Sequence, residues 1–347
     1  MTGSPQHRAH ASHFWGLVIG IVISIVCLGA ALGGMLRDRE ALAQIGTAFA
    51  TANYISLLPY WAALTAFYLL KAWRWRLLLQ PLGDFHTTRD LLPPVMIGFA
   101  FNNVLPAHLG DFVRVFVFAR QQRLPSAAVL SSVVLERVFD IIAVLFVLGG
   151  GLLFVPQLDP GVQRTSLVFA GISAVGMLGA IGFVIWTKPF VTLFEAILGR
   201  LPFIPAGLRT KLTGMLEASA SGLASLKQPR LLIGIVASSF AQWLLNAALV
   251  HMSLWSFGIH VTPAVSCLVV GVTAFGVTVP SSPGYFGVIQ LCFMTVLKLF
   301  VDNQPAVFAA SVYYHLAQYI PVTLIGLAYF IRSGMSLREV NAAAETP

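Results

Sequence analysis

Residues 126–155 read SAAVLSSVVLERVFDIIAVLFVLGGGLLFV. As a helix rising about 1.5 Å per residue, this run is long enough to cross a hydrocarbon core roughly 30 Å thick. It nevertheless carries Glu136, Arg137 and Asp140 close to mid-depth. Ser132, Glu136 and Asp140 repeat at i, i+4 and share a face, and Arg137 reaches Asp140 at i+3. Ionisable groups so deep are costly unless paired or hydrated, so the face that carries them turns toward protein or water. A structural ion pair fastening two helices would satisfy the pattern, but a functional site is the stronger reading.

The rest of the chain agrees with a membrane setting. Its 347 residues are 57% hydrophobic and only 10% charged, with a mean hydropathy of +0.83, whereas soluble domains are about a quarter charged. Soluble enzymes, nucleic-acid modules and disordered linkers are excluded together. The net charge of +8, from 21 basic against 13 acidic residues, is the expected decoration of cytoplasmic loops and does not signal a nucleic-acid partner. Cys27, Cys267 and Cys292 sit in apolar runs without metal-ligand spacing, and an odd number cannot complete a disulfide framework.

Long apolar stretches fall at 14–36, 54–72, 126–155, 166–187, 231–256 and 305–331. Two more, 91–120 and 263–301, are broken by Pro and Gly into arms of roughly 10–18 residues, too short or barely long enough to cross alone. These predict re-entrant hairpins or pairs of broken helices. The fold class is therefore an all-α polytopic membrane protein with about six full spans and two such hairpins. A tail over 1–13 leads into a first membrane half over 14–187. A basic connector over 188–230 and a second half over 231–331 follow, then a tail over 332–347. With both hairpins returning to their side of entry and both termini cytoplasmic, only Arg37, Arg39, Arg164 and Lys298 face outside, and Arg137 lies within a span. That asymmetry is a positive-inside signal; the expected location is a bacterial cytoplasmic (inner) membrane.

The two broken stretches resemble each other. Pro106-Ala-His-Leu-Gly110-Asp-Phe112 and Pro280-Ser-Ser-Pro283-Gly284-Tyr-Phe286 share Pro-x-x-x-Gly-x-Phe. Span, hairpin and span occur twice with opposite predicted orientation, an inverted repeat of the kind that places a binding site between halves. Asn102 and Asn103 end the first arm, followed by His108; Asp111 and Arg114 open the second arm. Arg114 beside a helix N-terminus suits a phosphate. Asp111 alone would be an ordinary cap. His315 stands where the first copy has its acidic pair, whereas His251 reads as an interhelical hydrogen-bonding residue. The run Lys71-Ala-Trp-Arg-Trp-Arg76 reads as an interfacial anchor belt, with lipid-phosphate binding as a secondary role.

The motifs Lys-Ala-Trp-Arg-Trp-Arg, Asn-Asn-Val-Leu-Pro-Ala-His-Leu-Gly-Asp-Phe-Val-Arg (102–114), Leu-Glu-Arg-Val-Phe-Asp (135–140) and Pro-Ser-Ser-Pro-Gly-Tyr-Phe-Gly (280–287) together resemble the flippase-like membrane domain of lysylphosphatidylglycerol synthases and their stand-alone relatives. The resemblance covers nearly the whole chain. It implies movement between leaflets of phospholipids with modified head groups, or of polyprenyl-linked sugars. The soluble aminoacyl-transferase domain of the synthases is not expected here, so lipid lysinylation is not expected either. Asp111 stands where that motif often has Glu. The reading is a lipid transporter rather than an enzyme: Arg114 and Arg137 would hold a lipid phosphate, and Asp111, Glu136 and Asp140 would take a cationic head group or a coupling proton. The expected partner is a membrane lipid with an anionic phosphate head group. The alternative is a membrane-embedded transferase, or an accessory subunit beside a lipid-modifying glycosyltransferase. No Walker motif is present and no cofactor is implied.

The topology has a direct check. After replacement of Cys27, Cys267 and Cys292, single cysteines at Gln44, Asp159 and Asn303 should react with an impermeant maleimide from outside. Those at Gln80, Gln122 and Ala218 should react only from within. Outside labelling at Gln122 would exclude a re-entrant first hairpin.

Overall fold

The computed structural model describes residues 5–83, 87–105, 109–155, 228–279 and 281–335, with isolated positions between 164 and 207. Most of the expected span 166–187 and of the connector 188–230, the end of the C-terminal tail, Pro106, His108 and Pro280 lie outside the described residues.

Every described element is helical. The helices are α1 (Pro5–Leu32), α2 (Arg39–Thr51), α3 (Leu57–Leu79), α4 (Thr88–Val104), α5 (Gly110–Gln122), α6 (Ser126–Leu153), α7 (Pro229–Ser256), α8 (Pro263–Gly276), α9 (Val288–Leu297) and α10 (Gln304–Arg332). Three stretches, 54–82, 229–256 and 304–332, are long and apolar enough to cross a membrane. α6 is 28 residues long and carries the charged motif. Each broken stretch forms two helices. The arms α4 and α5 are 17 and 13 residues, and α8 and α9 are 14 and 10. At about 1.5 Å per residue the longest is roughly 26 Å, short of a hydrocarbon core. α1 starts earlier than the expected span, and α2 follows it as a separate helix, started by Asp38, whose carboxylate accepts the Glu40 amide at 2.9 Å.

Proline and polar caps punctuate the chain. Pro229, Pro263 and Pro305 occupy first-turn positions where no amide donor is needed. Pro321 lies inside α10 and cannot bond the Ala317 carbonyl one turn back. The Trp61 indole takes that carbonyl instead, at 3.0 Å, joining α3 to α10.

Over a largely apolar interior, the side chains depart from a soluble protein's in two ways. Ile25, Val26, Ile55, Leu58, Leu324 and Ile331 are exposed, while Arg74, Arg114 and Glu136 are enclosed. Charges inside and aliphatics outside are what a lipid solvent selects.

The packing crosses between halves. α4 packs most extensively against α10, and α8 against α6, while α3 lies along α7. Both crossed contacts run through glycine. A Cβ on Gly326 would strike the Met96 carbonyl and the Ala100 side chain, and one on Gly271 would come within 2.7 Å of Leu148. Within the first hairpin, a Cβ on Gly110 would run into the Gly98 carbonyl and lie 2.5 Å from the Asn102 amide. α1 crosses the second hairpin loop, where Ser24 Oγ donates to Ser282 Oγ at 2.7 Å and accepts the Ser282 amide at 3.0 Å.

Gly110→Leu should therefore force α4 and α5 apart and cost about 1–3 kcal/mol, the usual range for overpacking. Gly46 in α2 meets no atom within 4 Å. Gly46→Ala should be neutral or gain up to about 1 kcal/mol through helix propensity. Thermal unfolding in detergent separates the two, and equal melting temperatures would refute the close crossing.

Candidate functional site

Four cationic and three acidic side chains converge from α3, α5 and α6. Glu136, fully enclosed on α6, meets Arg114 of α5 at 3.0 Å, Arg74 of α3 at 3.2 Å and Lys71 of α3 at 3.8 Å. Asp140, one turn on, meets Arg74 at 2.6 Å, Lys71 at 3.7 Å and Arg137 at 3.7 Å. Arg137 reaches back to Asp111 at the start of α5, with Nη2 donating at 2.6 and 2.9 Å and Nε at 3.1 Å, the two-pronged geometry of a strong guanidinium–carboxylate pair.

Other contacts lock these groups in place. Arg74 Nη1 also donates to Ser239 Oγ of α7 at 2.9 Å. The Arg114 guanidinium lies 4.6 Å from the centre of the Trp75 ring, whose N–H donates to Ser132 at 2.9 Å. Lys71 stands over the Phe67 and Phe99 rings at 5.3 and 5.2 Å.

Among the described residues this network holds one cation more than its carboxylates. Lys71 is the loosest of the four, its ion pairs too long for hydrogen bonds. The Arg137 side chain is the most accessible, at 38% against 7% or less for Lys71, Arg74 and Arg114.

Lys71, Arg137 and Asp140 face a cavity of about 230 Å³ that both halves line. From the first half come Asn102 and Asn103 at the end of α4, and from the second Gln242, Trp243 and Asn246 of α7, Thr273 of α8, Gly284 and Tyr285 of the loop, and His315, Gln318 and Tyr319 of α10. Asn102 also donates to Asp111 at 3.4 Å, and Asn103 donates to Thr323 at 2.9 Å. His315 is fixed by Gln290 at 3.2 Å and by the Phe286 ring 4.4 Å away. Gly284 sits at φ +77°, in the 3₁₀ turn that Pro283 opens, and a Cβ there would come 2.7 Å from Tyr319. Gly284 thus borders the cavity, whereas Gly110 serves the α4–α5 crossing. An apolar cavity of about 370 Å³ between α3, α4 and α10 shares Tyr68 and Val322 with the polar one.

The structure therefore gathers Asn102, Asn103, Arg137, Asp140 and His315 around one space, with Asp111 directly behind Arg137. Arg114 and Glu136 are packed deeper and do not line it. Lys71 and Arg74 belong to the network and not to an interfacial belt; of that run Trp73 is exposed. The i, i+3, i+4 spacing of Lys71, Arg74 and Trp75 is the signal that separates an inward face from a belt. Gln242 and Asn246, an i, i+4 amide pair in an apolar helix, carry the same kind of signal. His251 reaches Ser266 across helices at 3.0 Å, as expected of an interhelical hydrogen bond.

These features define a polytopic integral membrane protein with a largely buried charged network. The chain belongs to the family described as the lysylphosphatidylglycerol synthase TM region, whose model matches residues 17–326. It is also similar to Glycosyltransferase AglD of Haloferax volcanii, at 25% identity over 336 residues, covering 85% of this chain and 53% of that protein. The chain thus spans about half the length of this relative. No solved structure matches it.

The network's structural share is measurable. Arg74→Met removes the cation that Glu136 and Asp140 share and should cost about 3–5 kcal/mol, as when a buried pair loses one partner. The more exposed Arg137→Gln should fold nearly as well as wild type. Melting temperature and monodispersity in detergent give the comparison, and an undiminished Arg74→Met protein would refute the fastening role.

Proposed function

We propose that this protein carries a lipid with an anionic phosphate head group between the leaflets of the cytoplasmic membrane, through the polar cavity between its halves. The observation that carries the reading is the unbalanced positive charge facing that cavity at Lys71 and Arg137. An anion entering there completes the pairing that three carboxylates leave short, where the low dielectric strengthens it. Arg114 acts from behind, holding Glu136, and the three carboxylates are taken up by cations. The adjoining apolar cavity past Tyr68 and Val322 suits an acyl or prenyl chain. Head and tail would thus lie in neighbouring spaces of matching polarity.

The reading includes an inverted repeat of span, hairpin and span, α3–α6 and α7–α10, with the cavity between the copies. The crossed packing of α4 on α10 and α8 on α6 supports it, as does the lining of one cavity by both hairpins. A second reading follows from the likeness to a protein named a glycosyltransferase. In it the chain is a membrane-embedded transferase or serves one as an accessory subunit. A cavity reached from one leaflet fits that role, and one reached from both fits transport.

In proteoliposomes carrying a fluorescent anionic phospholipid, Lys71→Gln and Arg137→Ala should each reduce dithionite-accessible exchange at least tenfold, with protein matched for monodispersity. A well-folded Arg137→Ala protein with wild-type exchange would refute the assignment.

A further inference from the structure

Arg137 is the most accessible cation of the network, and its best donors are already taken. Nη2 and Nε grip the Asp111 carboxylate at 2.6, 2.9 and 3.1 Å, while Asp140 stands off at 3.7 Å. A guanidinium fork that holds two carboxylate oxygens holds two phosphate oxygens in the same way. Arg137 lines the cavity and Asp111 does not, so Asp111 occupies the donors that an anion arriving from the cavity would need. This pair also differs from the deeper ones. Its side chains are 38% and 16% exposed, against 7% or less for every pair among Lys71, Arg74, Arg114, Glu136 and Asp140. A half-open pair loses less on separating than an enclosed one, because a new partner can reach the freed charges.

A displaced carboxylate needs other donors, and two groups beside it supply them. Asn102 Nδ2 donates to Asp111 Oδ1 at 3.4 Å, long for such a bond and with room to shorten. From the second half, Tyr285 lies within electrostatic reach of both Asp111 and Arg137, and a phenol hydroxyl can donate to a carboxylate. Tyr285 stands at φ +60°, a left-handed conformation unfavourable to a bulky side chain, and such strain gathers where a side chain must be placed for function. Resting on the phosphate reading above, we infer that Asp111 is a resident stand-in for the lipid phosphate. The incoming phosphate takes Arg137 from it, Asn102 and Tyr285 receive the freed carboxylate, and its return to Arg137 releases the lipid. Asp111 then works against the ligand and does not bind part of it.

The test is equilibrium binding of fluorescent phosphatidic acid to the full chain in phosphatidylcholine nanodiscs, with a diacylglycerol bearing the same fluorophore as the phosphate-free control. Asp111→Asn should tighten phosphatidic acid about tenfold, the gain expected if the carboxylate holds Arg137 about nine-tenths of the time. Diacylglycerol binding should not change. The gain must pass through Arg137, so in an Arg137→Gln background the same substitution should alter affinity by less than about twofold. Tyr285→Phe keeps the ring and loses only the hydroxyl that receives Asp111, and should weaken phosphatidic acid severalfold. Unchanged or weaker binding by a monodisperse Asp111→Asn protein, or a gain that survives Arg137→Gln, would overturn the displacement. If Asp111→Asn does not fold, Tyr285→Phe decides, and unchanged or tighter binding overturns the displacement. Wild-type protein that binds phosphatidic acid no better than diacylglycerol would instead overturn the phosphate reading beneath it.

Discussion

Glu136 is fully enclosed within the 28-residue helix α6, and the arrangement around it follows from that constraint. Its carboxylate is held by Arg74, Arg114 and Lys71, which come from two other helices. Each of those cations needs further neighbours: Arg74 reaches Asp140 and Ser239, and Arg114 lies against Trp75. One buried acid therefore fixes the relative positions of α3, α5, α6 and α7. In a bilayer this matters more than in water, because apolar helices gain little by leaving lipid for one another. Close glycine contacts and the polar network supply what the hydrophobic effect does not.

On the proposed reading, the same constraint lets binding and folding draw on one set of residues. The network is closed toward Arg114 and Glu136 and open toward Lys71 and Arg137, so its depth grades from structural to accessible. A cavity built at the open edge acquires a fixed positive potential without any group dedicated to it. The lining from α7 and α8 is polar but uncharged, so the same cavity carries two kinds of chemistry.

Much of this was legible in the sequence. Membrane class, helical fold and family follow from composition and from the motifs around 71–76, 102–114 and 135–140. The breaks in 91–120 and 263–301 correspond to the α4–α5 and α8–α9 pairs, because Pro and Gly interrupt helices in lipid as they do in water. The inward turn of Lys71 and Arg74 was harder to see: tryptophans beside cations near the end of a span describe an interfacial belt equally well, and only the helical phase separates the two. Gln242 and Thr273 escaped notice for a different reason. Single polar residues in apolar helices usually bond a neighbouring helix, as His251 does, and nothing local reveals that Gln242 and Thr273 find no partner among the described residues. The second helix after α1 rests on the Asp38 cap, a short-range signal overshadowed by the hydropathy of the runs on either side.

The exchange of arms between halves, with α4 on α10 and α8 on α6, has a mechanical consequence. Gly326 and Gly271 let these helices approach so closely that sliding by even a fraction of a turn would drive a side chain into backbone. The halves are therefore clasped like two hands with fingers interlaced. A rigid rocking of one half against the other would have to break both clasps at once. Freedom of movement is left to pieces outside both the clasp and the charged network: the turn at Gly284, and α1 where it leans on that turn. If the cavity changes the face it opens to, the moving part is a hinged flap and not half the molecule.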